Sequence, residues 1–284
     1  MSERPPALRL LWGQIRYQNR IFWRTPIAAF FTLVFPLMFL FVFTLLFGND
    51  TIEELGVTTA QFYSPALAVF AAVSATYTNL AIGTAFSRDL GILKRVRGTP
   101  LPPWLYLAGR VGSAVWVAAI AIFLMLGVGI VLFGVTVYVE TLPALIVSFL
   151  VGVSCFAALG LLIAALAPNG DSSPALANAT LLPLAFISDI FIVPAEEAPT
   201  WIGTLGNVFP LKHFARTFLD SFNPIAVQAQ GSWLGQFHWA DLGVMALWLA
   251  GGALLAARLF TWEPRGGERA RSRRSLRRSV EATT

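Results

Sequence analysis

The sequence predicts an all-α integral membrane protein with six transmembrane helices, and three observations carry that prediction. Of its 284 residues 56% are hydrophobic and only 12% charged, with a mean hydropathy of +0.69, a balance no ordinary water-soluble domain needs. Apolar runs near the roughly 20 residues that cross a bilayer recur six times, at about 27–47, 62–84, 108–134, 142–167, 175–194 and 241–260. The basic residues also sort by side. Arg4, Arg9, Arg16, Arg20 and Arg24 precede the first run; Arg88, Lys94, Arg95, Arg97 and Arg110 surround the second loop; Arg258 and seven arginines from Arg265 to Arg278 follow the last run. Eighteen of the 20 lysines and arginines thus share one face, which the positive-inside rule makes cytoplasmic together with both termini. Lys212 and Arg216 fall opposite, where Asp50, Glu53, Glu54, Glu140, Glu196 and Glu197 gather. The pI of 9.9 therefore reflects membrane sidedness and not a nucleic-acid binder, because no soluble domain is left to carry the charge.

Taken in order, Ala7 to Arg24 reads as an amphipathic helix on the inner leaflet. On an ideal wheel Arg9, Arg16, Arg20 and Arg24 fall within an arc of about 80°, opposite Leu8, Leu11, Ile15 and Phe22. It serves either as a lipid-anchored lead-in or as a contact for a cytoplasmic partner. The first apolar run is too long, and starts too late, for a cleaved signal, and Leu46-Phe47-Gly48 offers no cleavage site. A short acidic outer loop follows, and the second run then carries Ser64, Ser74, Thr76, Tyr77, Thr78 and Asn79. Such groups commonly pack against other helices; Thr76, Thr78 and Asn79 are also the candidates for lining a substrate path. Gly109, Gly112, Gly127 and Gly129 in the third run, and Ser148, Gly152, Ser154 and Gly160 in the fourth, predict close helix contacts. The single cysteine, Cys155, has no partner within the chain and reads as a small buried apolar residue.

Between the second and third runs lies the island Ser87 to Arg110, SRDLGILKRVRGTPLPPWLYLAGR. Four basic residues within ten positions exclude it from the bilayer core. Leu90, Leu93 and Val96 recur at helical spacing, and Pro100, Pro102 and Pro103 stop the helix. The prediction is one short amphipathic helix shaped for a partner's groove.

The stretch PNGDSSP from Pro168 is a tight turn on the same side, able to touch the same partner. Pro183 and Pro194 interrupt the fifth run. Beyond it, Ala195 to Ala240 is the longest non-spanning segment. There Leu211, Phe214, Ala215, Phe218, Leu219 and Phe222 sit at helical spacing, with Lys212, Arg216 and Asp220 on another side, predicting an amphipathic helix at the outer headgroup level. Residues 1–264 thus form one membrane domain. Residues 265–284 form a basic tail, predicted to be disordered and suited to anionic lipid.

The island, from Ser-Arg-Asp-Leu-Gly-Ile-Leu-Lys-Arg-Val-Arg-Gly-Thr-Pro-Leu to Tyr106-Leu107-Ala108-Gly109-Arg110, resembles the coupling segment of ATP-binding cassette (ABC) type-2 exporter permeases. Ser188, Phe191, Pro194, Pro199, Trp201, Pro210, Leu211, His213 and Arg216 are similar to the family pattern after the fifth span, where members fold short outer or re-entrant helices. The chain departs from the family at Asp89, where Glu is frequent, at Ile92, where Thr is, and at Asp189, where Gly is. The resemblance implies a dimer, a homodimer or a heterodimer with a related permease. It also implies two ATPase subunits that bind ATP and Mg and contact Arg88, Asp89, Gly91, Leu93, Lys94, Arg95, Arg97, Gly98, Thr99 and Pro100. An outer gate is expected around Ser188, Asp189, Pro194, Pro199, Trp201, Pro210, Phe214 and Phe218, with 209–222, amphipathic but too short and charged to span and approached through Pro199 and Pro210, as its lid.

The inventory of residues fits a subunit that is not itself an enzyme. A Walker-type phosphate loop needs Gly-Lys-Ser or Gly-Lys-Thr, yet Lys94 and Lys212, the only lysines, both follow leucine. His213 and His238 lie outside the spans, leaving Asp189 as the one acid within a span, so neither a metal site nor an acid/base pair is predicted. Asp189 reads either as a solvated structural acid or as a proton or substrate contact. The expected cargo is a drug, antibiotic or other amphipathic molecule, by similarity to small permeases with the Gly-Thr-Pro-Leu segment. Lipid-linked glycan or lipid is the alternative, and a channel or receptor would need no motor. The expected location is the plasma membrane of a bacterium.

Overall fold

The computed structural model describes residues 6–53, 55–193, 199–232 and 234–263. Pro194 and the tail beyond residue 263 lie outside the described residues. The order is α1 (Ala7–Trp23), α2 (Pro26–Phe47), a hairpin of β1 (Thr51–Ile52) and β2 (Val57–Thr58), α3 (Thr59–Asp89), α4 (Ile92–Arg97) and α5 (Pro103–Phe133). It continues with α6 (Leu142–Leu166), α7 (Ser173–Phe186), α8 (Thr200–Gly206), α9 (Pro210–Phe222), α10 (Pro224–Gln230) and α11 (Trp239–Leu259). Proline starts many of these helices: Pro26, Pro103, Pro143, Pro174, Pro210 and Pro224 occupy first-turn positions, where the missing N–H has no intrahelical partner to lose. α5 ends on Gly134 at φ +70°, with the Val135 N–H bonded to the Gly129 carbonyl, a left-handed cap that a side chain would strain.

Among the described residues α2, α3, α5, α6 (with a lead-in turn from Val139) and α11 are long and apolar enough to cross a membrane. α3 is the hub: 78% of its apolar stretch is buried, against 22–44% for the other four. It packs against α2, α5, α6, α7 and α9. α2 and α3 each contain a π-helical turn, Phe30–Val34 and Ser74–Thr78, and the Asn79 amide donates to Thr32 Oγ1 at 2.8 Å, joining the two.

The predicted fifth span differs from the fold. α7 has 14 residues, about 21 Å of helix against a hydrocarbon core of about 30 Å. The run 175–194 is helical only through Phe186; Asp189 then adopts φ +59°, and no helix continues. Beyond the break Ile190 and Phe191 are core, not span: Ile190 is fully buried, and the Phe191 ring packs 5.0 Å from Phe70 and 5.5 Å from Phe39.

α9 also differs from the predicted headgroup-level helix. Nine of its 13 residues are buried, and it is wedged among α3, α6 and α11. Its apolar face meets protein because Gly152 of α6 leaves room for Phe214: a Cβ there would come within 2.6 Å of the ring. α1 lies along the start of α5, where Gly109 and Gly112 would bring a Cβ to 2.5 and 2.8 Å of Gln14 and Ile15. The predicted close contacts are present at those glycines, whereas Gly127 faces open space.

Candidate functional site

The short helix predicted within the island Ser87–Arg110 is α4, which starts at Ile92 and so leaves Leu90 outside it. Gly91 takes φ +70° and separates the end of α3 from α4, so Leu90 is left exposed while Leu93 is fully buried. Leu93 is the apolar anchor of α4. Around it Lys94, Arg95, Arg97, Gly98, Thr99 and Pro100 are all exposed, and Thr99 closes the helix end by donating to the Val96 carbonyl at 2.7 Å.

Arg88 has a different place from the predicted contact residue. Its side chain is 1% exposed, and its guanidinium donates to the carbonyls of Ala164 at 2.8 Å and Ala167 at 2.7 Å. These carbonyls lie at the end of α6, and a cation is favourable at a helix C-terminus. Beside it Asp89 approaches the Arg88 Nε at 3.5 Å and accepts from the Gly170 N–H at 2.6 Å. Gly170 belongs to the predicted 168–174 turn, which is closed by the Ser172 N–H on Asn169 Oδ1 at 2.8 Å. Only glycine fits there, since a Cβ would meet the Phe86 ring at 2.8 Å. One dipeptide at the end of α3 thus fastens α4 to α6 and to the start of α7. The island and the turn, read separately in the sequence, form one body.

At the opposite end Asp189 pairs with Lys212 at 3.1 Å, and both are largely shielded. Ser188 is fully buried, with no hydrogen-bond partner for its hydroxyl. Pro210 is buried, while Pro199 and Trp201 are exposed. Phe214 stacks on Phe156 at 6.2 Å and meets Phe218 edge-on at 5.3 Å.

Sequence reasoning missed a polar cluster between α9 and α11. Asp241, buried, is contacted by His213 Nδ1 and by Arg216 at 3.4 Å on one oxygen, and by His238 Nδ1 at 3.3 Å on the other. The second His213 nitrogen faces the Asn207 carbonyl at 2.8 Å. Asp220 sits 3.8 Å from His238. Burial pushes its carboxyl above the usual range, against the opposing pull of His238 and Arg216. An acid in the first turn of the last apolar run was the available signal.

Of the predicted path residues, Thr76 is buried and returns its hydroxyl to the Ala72 carbonyl at 2.8 Å. Gly160 of α6 packs on the backbone of the π turn it occupies. Thr78 is half-buried, with no partner for its hydroxyl. Asn79 borders a cavity of about 340 Å³ among α1, α2, α3 and α5.

Five helices long and apolar enough to cross a membrane, one of them the buried hub, with a short basic helix tied to the ends of α3 and α6, define a multi-pass membrane protein. The chain belongs to the ABC-2 type transporter family, whose pattern matches residues 9–223. It is 32% identical over 199 residues to a daunorubicin resistance ABC transporter permease protein of Streptomyces coeruleorubidus, covering 67% of this chain and 66% of that relative's length. It is 29% identical over 225 residues to nodulation protein J of Rhizobium leguminosarum bv. trifolii, covering 78% of this chain and 82% of the relative.

Proposed function

We propose that this chain is the membrane subunit of an ATP-driven exporter, with α4 as the seat of a separate ATPase. ATP and Mg are bound by that partner, in two copies on a permease dimer. The observation that carries the reading is the construction of α4: a buried Leu93, an exposed basic rim of Lys94, Arg95 and Arg97, and a rigid fastening through Arg88 and Asp89. A push on such a helix is delivered to the ends of α3, α6 and α7 together. The Asp189–Lys212 pair and the Phe214–Phe218 contact are the parts that an outer gate would have to release. Placing the basic end in the bacterial cytoplasm, with both termini, follows from the arginine distribution. The resistance permease among the relatives favours a drug or antibiotic cargo.

Co-expression with candidate ATPases tests this. Arg95→Glu with Arg97→Glu should leave insertion intact and weaken ATPase pull-down, because charge reversal at a rim acts on docking more than on folding. Normal pull-down and normal substrate-stimulated hydrolysis in the double variant would remove α4 as the seat.

A further inference from the structure

Two adjoining hollows lie on the basic side of the bundle. One, of about 340 Å³, is enclosed by α1, α2, α3 and α5; the other, of about 480 Å³, lies between α1 and α4. They share Gln18, Ile21, Gly83 and Arg110. Arg110 stands seven residues into α5, roughly 10 Å from its start, a depth that suits a headgroup and not a tail. One arm of its guanidinium donates to Ser87 Oγ at 2.8 Å and to Tyr106 Oη at 3.1 Å; the other lies against Gly83, where no side chain intervenes. Among the described residues no carboxylate pairs with it. Gln18 is 7% exposed, and its amide nitrogen has no partner. The wall beyond is apolar: Ile21, Phe22, Leu80, Ala114 and Val117.

We propose that these joined hollows bind an anionic amphiphile from the adjacent leaflet. The free arm of Arg110 and the Gln18 amide take its acidic head, and the apolar wall takes its hydrocarbon body. A guanidinium without a counter-ion beside an unfilled amide donor calls for an acceptor-rich anion. An adjoining apolar wall selects an amphiphile over a free ion. The proposal rests on the reading above only in making this the inner-leaflet side. It needs no motor, so it is tested on the permease alone.

The full chain, purified in a neutral detergent, is exposed to phosphatidylglycerol, phosphatidylcholine or inorganic phosphate, and retained adducts are read by native mass spectrometry. Phosphatidylglycerol is expected to be retained over phosphatidylcholine and not displaced by phosphate. Arg110→Gln should lower retention about tenfold, the loss expected for one charged hydrogen bond, with partial recovery in Arg110→Lys. Arg16→Gln, at an exposed arginine on the same face, should change nothing. Gln18→Leu and Ala114→Leu, which remove the donor and fill the wall, should also lower retention, and they decide the matter if Arg110→Gln does not fold. Equal retention of the two lipids, displacement by inorganic phosphate, or wild-type retention in the three pocket variants overturns the proposal.

Discussion

Asp89 at the end of α3 accepts a hydrogen bond from the backbone N–H of Gly170 at 2.6 Å, binding a turn 81 positions away to the segment that carries α4. Asp89→Ala should remove that bond, costing about 1 to 2 kcal/mol, and free the turn. Leu93 and the basic rim remain, so the ATPase should still be pulled down while substrate stimulation of hydrolysis falls. Asp89→Glu should restore stimulation, since the carboxylate is kept. Full stimulation in Asp89→Ala would show that the bond transmits nothing.

Arg88 makes a contrasting prediction. Being 1% exposed, it has no surface to offer a partner. Arg88→Ala should lower thermal stability by about 3 kcal/mol or more, as two carbonyls lose charged donors, while the folded fraction still binds the ATPase. Arg88→Lys should recover little, because one ammonium does not reproduce the fork that reaches both Ala164 and Ala167. Unchanged melting together with lost pull-down would restore Arg88 to the docking surface.

How far the sequence could be read follows from where the partners of each residue lie. The spans are legible from length and apolarity alone, and α4 from its charges. Arg88 looks like its basic neighbours because what distinguishes it is a pair of backbone carbonyls 76 and 79 residues away, which carry no side-chain signature. The end of α7 was hidden for a similar reason: Ile190 and Phe191 are apolar whether they face lipid from a helix or pack in a core from an irregular chain. The His213–Asp241 contact joins residues 28 apart on separate helices, a distance at which spacing says nothing.

Phe214 and Phe218 test the gate. Both are essentially fully buried, so replacing each with Ser should forfeit on the order of 1.5 to 3 kcal/mol of burial per ring. The double variant should show raised basal hydrolysis with its ATPase and poorer stimulation by substrate, in protein that still inserts. Wild-type values for both would reduce α9 to a structural wedge.

Asp220 gives a pH dependence with a definite sign. Burial raises its carboxyl above 3.8, so the folded state holds the proton more tightly than the unfolded one. Its contribution to stability is complete below that value and is lost as pH rises through the raised one. Asp220→Asn keeps the neutral form, so its melting temperature should exceed the wild type's at about pH 7.5 and converge with it at about pH 4. A difference independent of pH would show that the carboxyl titrates alike in both states.

The linked π turns of α2 and α3 have a consequence for phase. Each accommodates one residue more than a regular helical turn, and one residue is worth about 100° of rotation. Were the same residues wound regularly through Ser74–Thr78, the extra one would swing everything after it by roughly that angle relative to what precedes. Arg88 would turn away from Ala164 and Ala167, and Asp89 from Gly170. The two ends of α3 are kept in step by an irregularity in its middle.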